Sequence, residues 1–235
     1  MKPLCIADTS SLIYLSEVEL AGRSLHRWLW DEFKVRYSQA VWEEIQRHAA
    51  KMGRDARTIK RDGERYVWNL PRITTCEQAI FAPPFYRVIE VGRCRKCRRP
   101  FRERRRFEPT LGVPEDEGER HNCCVALEAV LQGRYKQIIF LIDDHRAVRD
   151  YIAPILEVFP LGQVWSSLDF VLYLFLRHRK RIPEATAKAA LRDVNAGRLT
   201  THTPEVMERY RRQLGEYWRR VERIDRVLAQ MSGGH

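Results

Sequence analysis

Two short apolar runs constrain this chain more than anything else in it: Leu4-Cys5-Ile6-Ala7 and Ile138-Ile139-Phe140-Leu141-Ile142 are unbroken by polar residues, and each stops at a carboxylate. A half-exposed strand alternates apolar with polar residues, whereas an unbroken run fits a strand buried on both faces, as in a parallel sheet covered by helices. The first run ends at Asp8 and the second at Asp143-Asp144. Two further acidic clusters, Glu43-Glu44 and Asp116/Glu119, lie on or at the start of helical patterns. Ligands of open α/β sheets collect at the carboxyl ends of strands. A fold that gathered all four clusters would concentrate like charge in one cleft, which a cation makes tolerable. Hard divalent ions take carboxylate and water oxygens, so the pattern predicts a Mg²⁺ or Mn²⁺ site acting on phosphates.

The rest of the composition points the same way. A length of 235 residues suits one α/β core with an appendage, and a net charge of +11 favours a polyanionic partner, nucleic acid first. Met1-Lys2-Pro3-Leu4 runs straight into the first strand without a signal-peptide apolar region, which predicts a cytoplasmic protein. The most apolar stretch, Phe170 to Leu176, is far short of the roughly 20 residues that span a bilayer; it reads as a core helix, and no membrane partner is expected. In a reducing compartment Cys5, Cys76 and Cys124 default to small buried hydrophobes.

Along the chain, Thr9-Ser10-Ser11 offers a cap for a helix continuing through Leu12, Leu15, Val18 and Leu20, and a second helix carries Leu25, Trp28 and Leu29. A short strand near Val35-Arg36-Tyr37-Ser38 precedes a helix opening at Ser38, and further elements are expected at 55–68 (helix) and 71–75 (strand). From Pro83 to Pro114 prolines, glycines and cations replace regular periodicity, the mark of an insertion or small subdomain. Helical patterning resumes at Asp116. It is followed by the strand at 138–142, a helix over 146–152 and an apolar edge at 156–159. The alternation predicts an α/β fold with a central parallel sheet. Residues 1–182 form the expected domain, with a basic insertion at 83–112; residues 183–235 form a helical extension with Val206, Tyr210, Leu214, Trp218, Val221 and Ile224 in one apolar stripe.

Ile6-Ala7-Asp8-Thr9-Ser10, Val41-Trp42-Glu43-Glu44-Ile45, Asp116-Glu117-Gly118-Glu119-Arg120-His121 and Leu141-Ile142-Asp143-Asp144-His145 together resemble, in order and spacing, a PIN-domain ribonuclease. The likeness spans roughly residues 4–180 and is nearest the prokaryotic VapC-like branch whose third motif carries Gly-Glu and whose fourth reads Ile-Asp-Asp. It implies a three-layer α/β/α sandwich and a divalent-metal site that cleaves RNA phosphodiesters, leaving a 5′-phosphate and a 3′-hydroxyl. Asp8 matches the first aspartate, Glu44 the second-motif glutamate, Glu119 the third acidic ligand and Asp144 the fourth. Asp143 is equally well placed by spacing, and Asp116 lies one helical turn before Glu119, so both belong to the candidate Mg²⁺ or Mn²⁺ ligands. Thr9 or Ser10 could donate a hydrogen bond to a ligand carboxylate, and His121 and His145 could assist proton transfer. That branch includes toxins of toxin–antitoxin pairs, which adds an antitoxin protein and a homodimer to the expected partners besides RNA. Helix capping accounts for any one cluster alone, but not for four in this order. The alternative expectation is a non-cleaving nucleic-acid-binding or regulatory PIN module.

The insertion holds the densest positive field: Arg93, Arg95, Lys96, Arg98, Arg99, Arg102, Arg104, Arg105 and Arg106, with Glu103 the one acidic residue among them. Arginine forks suit phosphates, and Phe101 and Phe107 supply stacking surfaces, so this segment is the expected RNA guide. Within it Cys94-Arg-Lys-Cys97 is half of a zinc knuckle, for which His121 and Cys123 are the candidate partner half of a structural Zn²⁺ site.

Overall fold

The computed structural model describes residues 2–48, 63–67, 78–81, 86–91, 104–109, 118, 121–123, 125–126, 129, 135, 137–153, 156, 162–197 and 203–232. The first apolar run is strand β1 (Leu4–Ala7), which leads directly into helix α1 (Thr9–Ser16). The cap of α1 is Asp8, not the following hydroxyl residues: its Oδ1 accepts from the Ser11 amide at 2.7 Å. The helix expected to continue through Val18 and Leu20 stops at Ser16. Strands β2 (Glu19–Leu20) and β3 (Arg23–Ser24) instead form a hairpin turning through Ala21 and Gly22, at φ 54° and 73°. Two successive positive φ values match the twist of a tight hairpin, and glycine supplies the second without strain. Helix α2 (Leu25–Glu32), strand β4 (Lys34–Arg36) and helix α3 (Gln39–His48) follow, close to expectation.

Periodicity failed over the insertion. Strands β5 (Gln78–Phe81), β6 (Tyr86–Val91) and β7 (Arg104–Pro109) form a three-stranded antiparallel sheet, so Arg104, Arg105 and Arg106 belong to a strand rather than a loop. The register sets Arg105 opposite Glu90 and Glu108 opposite Arg87. The residue types along these strands do not follow the apolar alternation by which strands are normally recognised. Of the expected elements at 55–68 and 71–75, only a short 3₁₀ turn at Gly63–Tyr66 falls among the described residues.

Gly118, His121–Cys123, Val125, Ala126 and Ala129 are helical. Strand β8 (Ile138–Leu141) is the second apolar run; a short helical turn, His145–Ala147, widens into a π turn at Val148–Ile152. Strand β9 (Gly162–Trp165) lies beyond the apolar edge expected at 156–159. Gly162 pairs with Ile138, and a Cβ there would collide with the Ile138 backbone, so glycine is what lets β9 close on β8. The chain finishes with α4 (Ser167–Arg177), α5 (Glu184–Gly197) and α6 (Pro204–Ser232). The apolar stretch 170–176 is the buried core of α4, and among the described residues no helix is long and apolar enough to cross a membrane.

The main sheet is parallel throughout, in the order β4-β1-β8-β9. Successive side chains of a strand point to opposite faces, and both faces are covered. Leu4, Ile6, Ile138 and Phe140 pack with Val125, Ala126, Ala129, Ala147 and Ile152 on one side. Cys5, Ala7, Val35 and Leu141 pack with Leu12, Leu29, Val41, Ile45, Phe170 and Leu174 on the other. Each fully buried Leu, Ile or Phe contributes roughly 1.5–3 kcal/mol relative to exposure. Helices α5 and α6 join the second cluster through Ala187, Leu191, Val194, Tyr217 and Val221. Of the expected stripe on α6, Leu214, Trp218 and Val221 pack on this cluster, joined by Tyr217, while Ile224 is 41% exposed.

Candidate functional site

From β1 the chain winds outward to β4, then returns to β8 on the other side of β1. The carboxyl ends of β1 and β8 therefore flank the point where winding reverses, the place where open α/β sheets leave a crevice. Asp8 follows β1 and Asp143 follows β8, and the two strand ends are joined where the Asp8 amide donates to the Leu141 carbonyl at 3.1 Å.

One turn of α1 gathers the acidic residues. Asp8, 1% exposed, accepts from the Ser11 amide and from Ser10 Oγ at 3.2 Å. Ser11 Oγ donates to Asp143 Oδ2 at 2.9 Å, across the β1–β8 boundary. Thr9 Oγ1 donates to Glu44 Oε2 at 2.5 Å, fixing a glutamate on α3. Three consecutive hydroxyl residues thus each hold a carboxylate, and three of the four motifs converge on them. Glu43, by contrast, is exposed and accepts from Gln39 on its own helix.

Asp143 and Asp144, indistinguishable by spacing, have different surroundings. Asp143 is 8% exposed and accepts from Ser11 Oγ, the Ser167 amide at 3.1 Å and Ser167 Oγ, tying α1 to the start of α4. Asp144 is half-buried and caps the following turn through Oδ1 alone, at 2.7 Å from the Arg146 amide and 3.2 Å from that of Ala147. Its Oδ2 has no partner among the described residues.

Asp116 and Glu119 lie outside the described residues, as do Cys94, Cys97, Arg93, Arg95, Lys96, Arg98, Arg99 and Arg102. Gly118 is described and packs against α3: a Cβ there would stand 3.1 Å from Val41 Cγ2 and 3.2 Å from Glu44 Oε1. Glycine leaves that space to Glu44, where a Cβ would require Val41 or Glu44 to shift by a few tenths of an ångström. His121 is half-buried, His145 is exposed, and Cys123 is fully buried in the apolar cluster with Leu4 and Ile6.

Sequence reasoning missed Asn122. It is wholly buried, its Oδ1 accepts from the Ser38 amide at 2.8 Å, and its Nδ2 donates to the Ala7 carbonyl at 3.0 Å. One amide side chain therefore clamps the strand end that carries Asp8 to the start of the helix that carries Glu44. The available signal was a lone asparagine inside the apolar helical pattern after Glu119, where a polar side chain needs a buried partner.

The donor set is entirely oxygen, the chemistry a hard divalent ion takes. As placed, no three His, Cys, Asp or Glu side chains among the described residues stand close enough to hold an ion. Burial, and then the charge of Asp8, push the Cys5 thiol far above its ordinary range, so the nearest sulfur remains a protonated core group. Compared with known proteins, the chain matches no family model, no curated protein and no solved structure.

Proposed function

We propose that this chain is a PIN-like, Mg²⁺- or Mn²⁺-dependent endoribonuclease whose site is the carboxyl edge of the β1–β8 pair. The observation that carries this reading is the hydroxyl triplet Thr9-Ser10-Ser11, which binds carboxylates from three separate chain segments. Asp8, Glu44, Glu119 and Asp144 would hold the ion, with Asp116 as a further candidate. Asp144 is preferred to Asp143 because one of its oxygens is uncommitted, while Asp143 serves as a buried brace between α1 and α4. A bound divalent ion would supply Lewis-acid neutralisation of phosphate charge and would lower the pKa of water. The protein's part is orientation. Thr9 fixes one oxygen of Glu44, Gly118 leaves room for the other, and Asn122 keeps the two segments in register. The net charge of +11 draws RNA to this edge despite its carboxylates.

A non-cleaving nucleic-acid-binding module is the competing reading. It is favoured by the commitment of both Asp143 oxygens to Ser11 and Ser167. Incubating single-stranded RNA with wild type and with Asp8→Asn, in Mn²⁺ and in chelator, separates the two. The nuclease reading expects cleavage by wild type in Mn²⁺ alone; cleavage that survives both the substitution and the chelator ends it, and retention of RNA without cleavage moves the protein to the second class. The toxin role, with an antitoxin and a homodimer, rests on the same reading. It would be tested by growth arrest on expression that Asp8→Asn abolishes.

A further inference from the structure

The last helix has a second face that is exposed among the described residues. At 100° per residue, Arg212, Arg219, Arg223 and Arg226 fall within a wedge of about 60° on α6, diametrically opposite Tyr217 and Val221, which anchor the helix to the core. All four are exposed, and the stripe runs about 21 Å along the axis. Every cation of α6 is an arginine; the helix contains no lysine. Arg212, Arg219 and Arg223 make no ion pair among the described residues, although Glu216 and Glu222 border the wedge. A merely solubilising face would pair its charges at i,i+4 and has no need of arginine over lysine. The segment feeding this surface is also basic: residues 177–226 carry 14 Lys and Arg against 7 Asp and Glu.

We propose that this arginine stripe is a binding site for the phosphate backbone of RNA, separate from the acidic edge and from the basic insertion. Planar guanidinium forks on a rigid helix present paired donors to successive phosphates without reading sequence. Long unpaired side chains in open solvent release counterions when they engage a polyanion, so binding is salt-dependent. The inference takes its choice of RNA from the proposed function, and it extends the substrate path beyond the scissile bond.

The test uses the full chain, a fluorescent single-stranded oligouridylate and chelator, so that binding is read without cleavage. The triple variant Arg212→Gln, Arg219→Gln, Arg223→Gln keeps helix-favouring side chains, and a thermal melt confirms that it folds. Affinity is expected to fall about tenfold or more, and the slope of log affinity against log salt to shrink by about 2, for three lost phosphate contacts. Unchanged affinity and slope, or a wild type that does not bind the oligonucleotide, overturns the proposal. So does a triple variant that keeps RNA but loses wild-type binding to phosphatidylserine vesicles, which would make the stripe a membrane contact. The two readings separate cleanly. Cleavage with an unchanged triple variant leaves the nuclease and removes the stripe; RNA binding lost in the variant, with no cleavage by wild type, does the reverse.

Discussion

Two groups of buried or half-buried carboxylates in this molecule are held in opposite ways. Glu32, at the end of α2, is neutralised by the protein itself: Arg177 Nε stands 2.8 Å from Oε2, His178 Nε2 stands 2.9 Å from Oε1, and the Tyr173 hydroxyl donates to Oε2 at 2.9 Å. At the carboxyl edge the described partners of Asp8, Glu44 and Asp143 are hydroxyls and backbone amides. Such partners fix the position of an oxygen without themselves supplying an opposite formal charge. The ion pair between α2 and α4 ties two elements of the fold together, and the contrast with it motivates the ligand role proposed for the carboxyl edge. The difference is one of purpose, and it can be broken experimentally.

The largest effect is expected at Asp8. Asparagine is an equally good helix cap, so Asp8→Asn keeps the Ser11 bond while removing the charge, and RNA cleavage should fall by about 10²–10³ with little change in melting temperature. A parallel collapse of stability would make Asp8 a structural residue like Glu32. Next comes Asn122→Leu, which strands the Ser38 amide and the Ala7 carbonyl in the core; a loss of about 2–4 kcal/mol is expected in denaturant unfolding. Glu32→Gln should leave cleavage untouched and cost about 1 kcal/mol, since Arg177 is largely solvated. Loss of activity in that variant would erase the distinction between the two groups.

The smallest effect is a titration. Burial, and then the bond to Glu32, push the Tyr173 hydroxyl up to about 12. Its folded-state value is raised, so the associated stability is present below the unfolded value, about 10, and is lost as pH rises from there through 12. In Glu32→Gln the tyrosinate absorbance step assigned by Tyr173→Phe should move down toward 10. A step that stays in place would assign the shift to burial alone.

The strands of the main sheet were legible wherever chemistry forced a run: β1 and β8 are apolar because both faces are covered, and their terminal carboxylates mark the crevice. β9 was not legible, since its pairing depends on the absence of a side chain at Gly162 rather than on any pattern. Strands β6 and β7 were hidden because charged residues in their sequences, among them Arg87, Glu90, Arg104, Arg105 and Arg106, interrupt the apolar alternation that is sought. In the site, residue types located Asp8, Glu44 and the Asp143-Asp144 pair. Only three-dimensional partners separate the bracing aspartate from the half-open one, and Asn122 is meaningful only once residues 7 and 38 are seen beside it.

That clamp also dictates when the edge can exist. Asn122 joins positions 115 and 84 residues away in sequence, and Asp143 waits for Ser167 to complete its bonds. The carboxylates are therefore drawn together only after residues 122 and 167 have joined the chain. Closing such long loops comes late in folding.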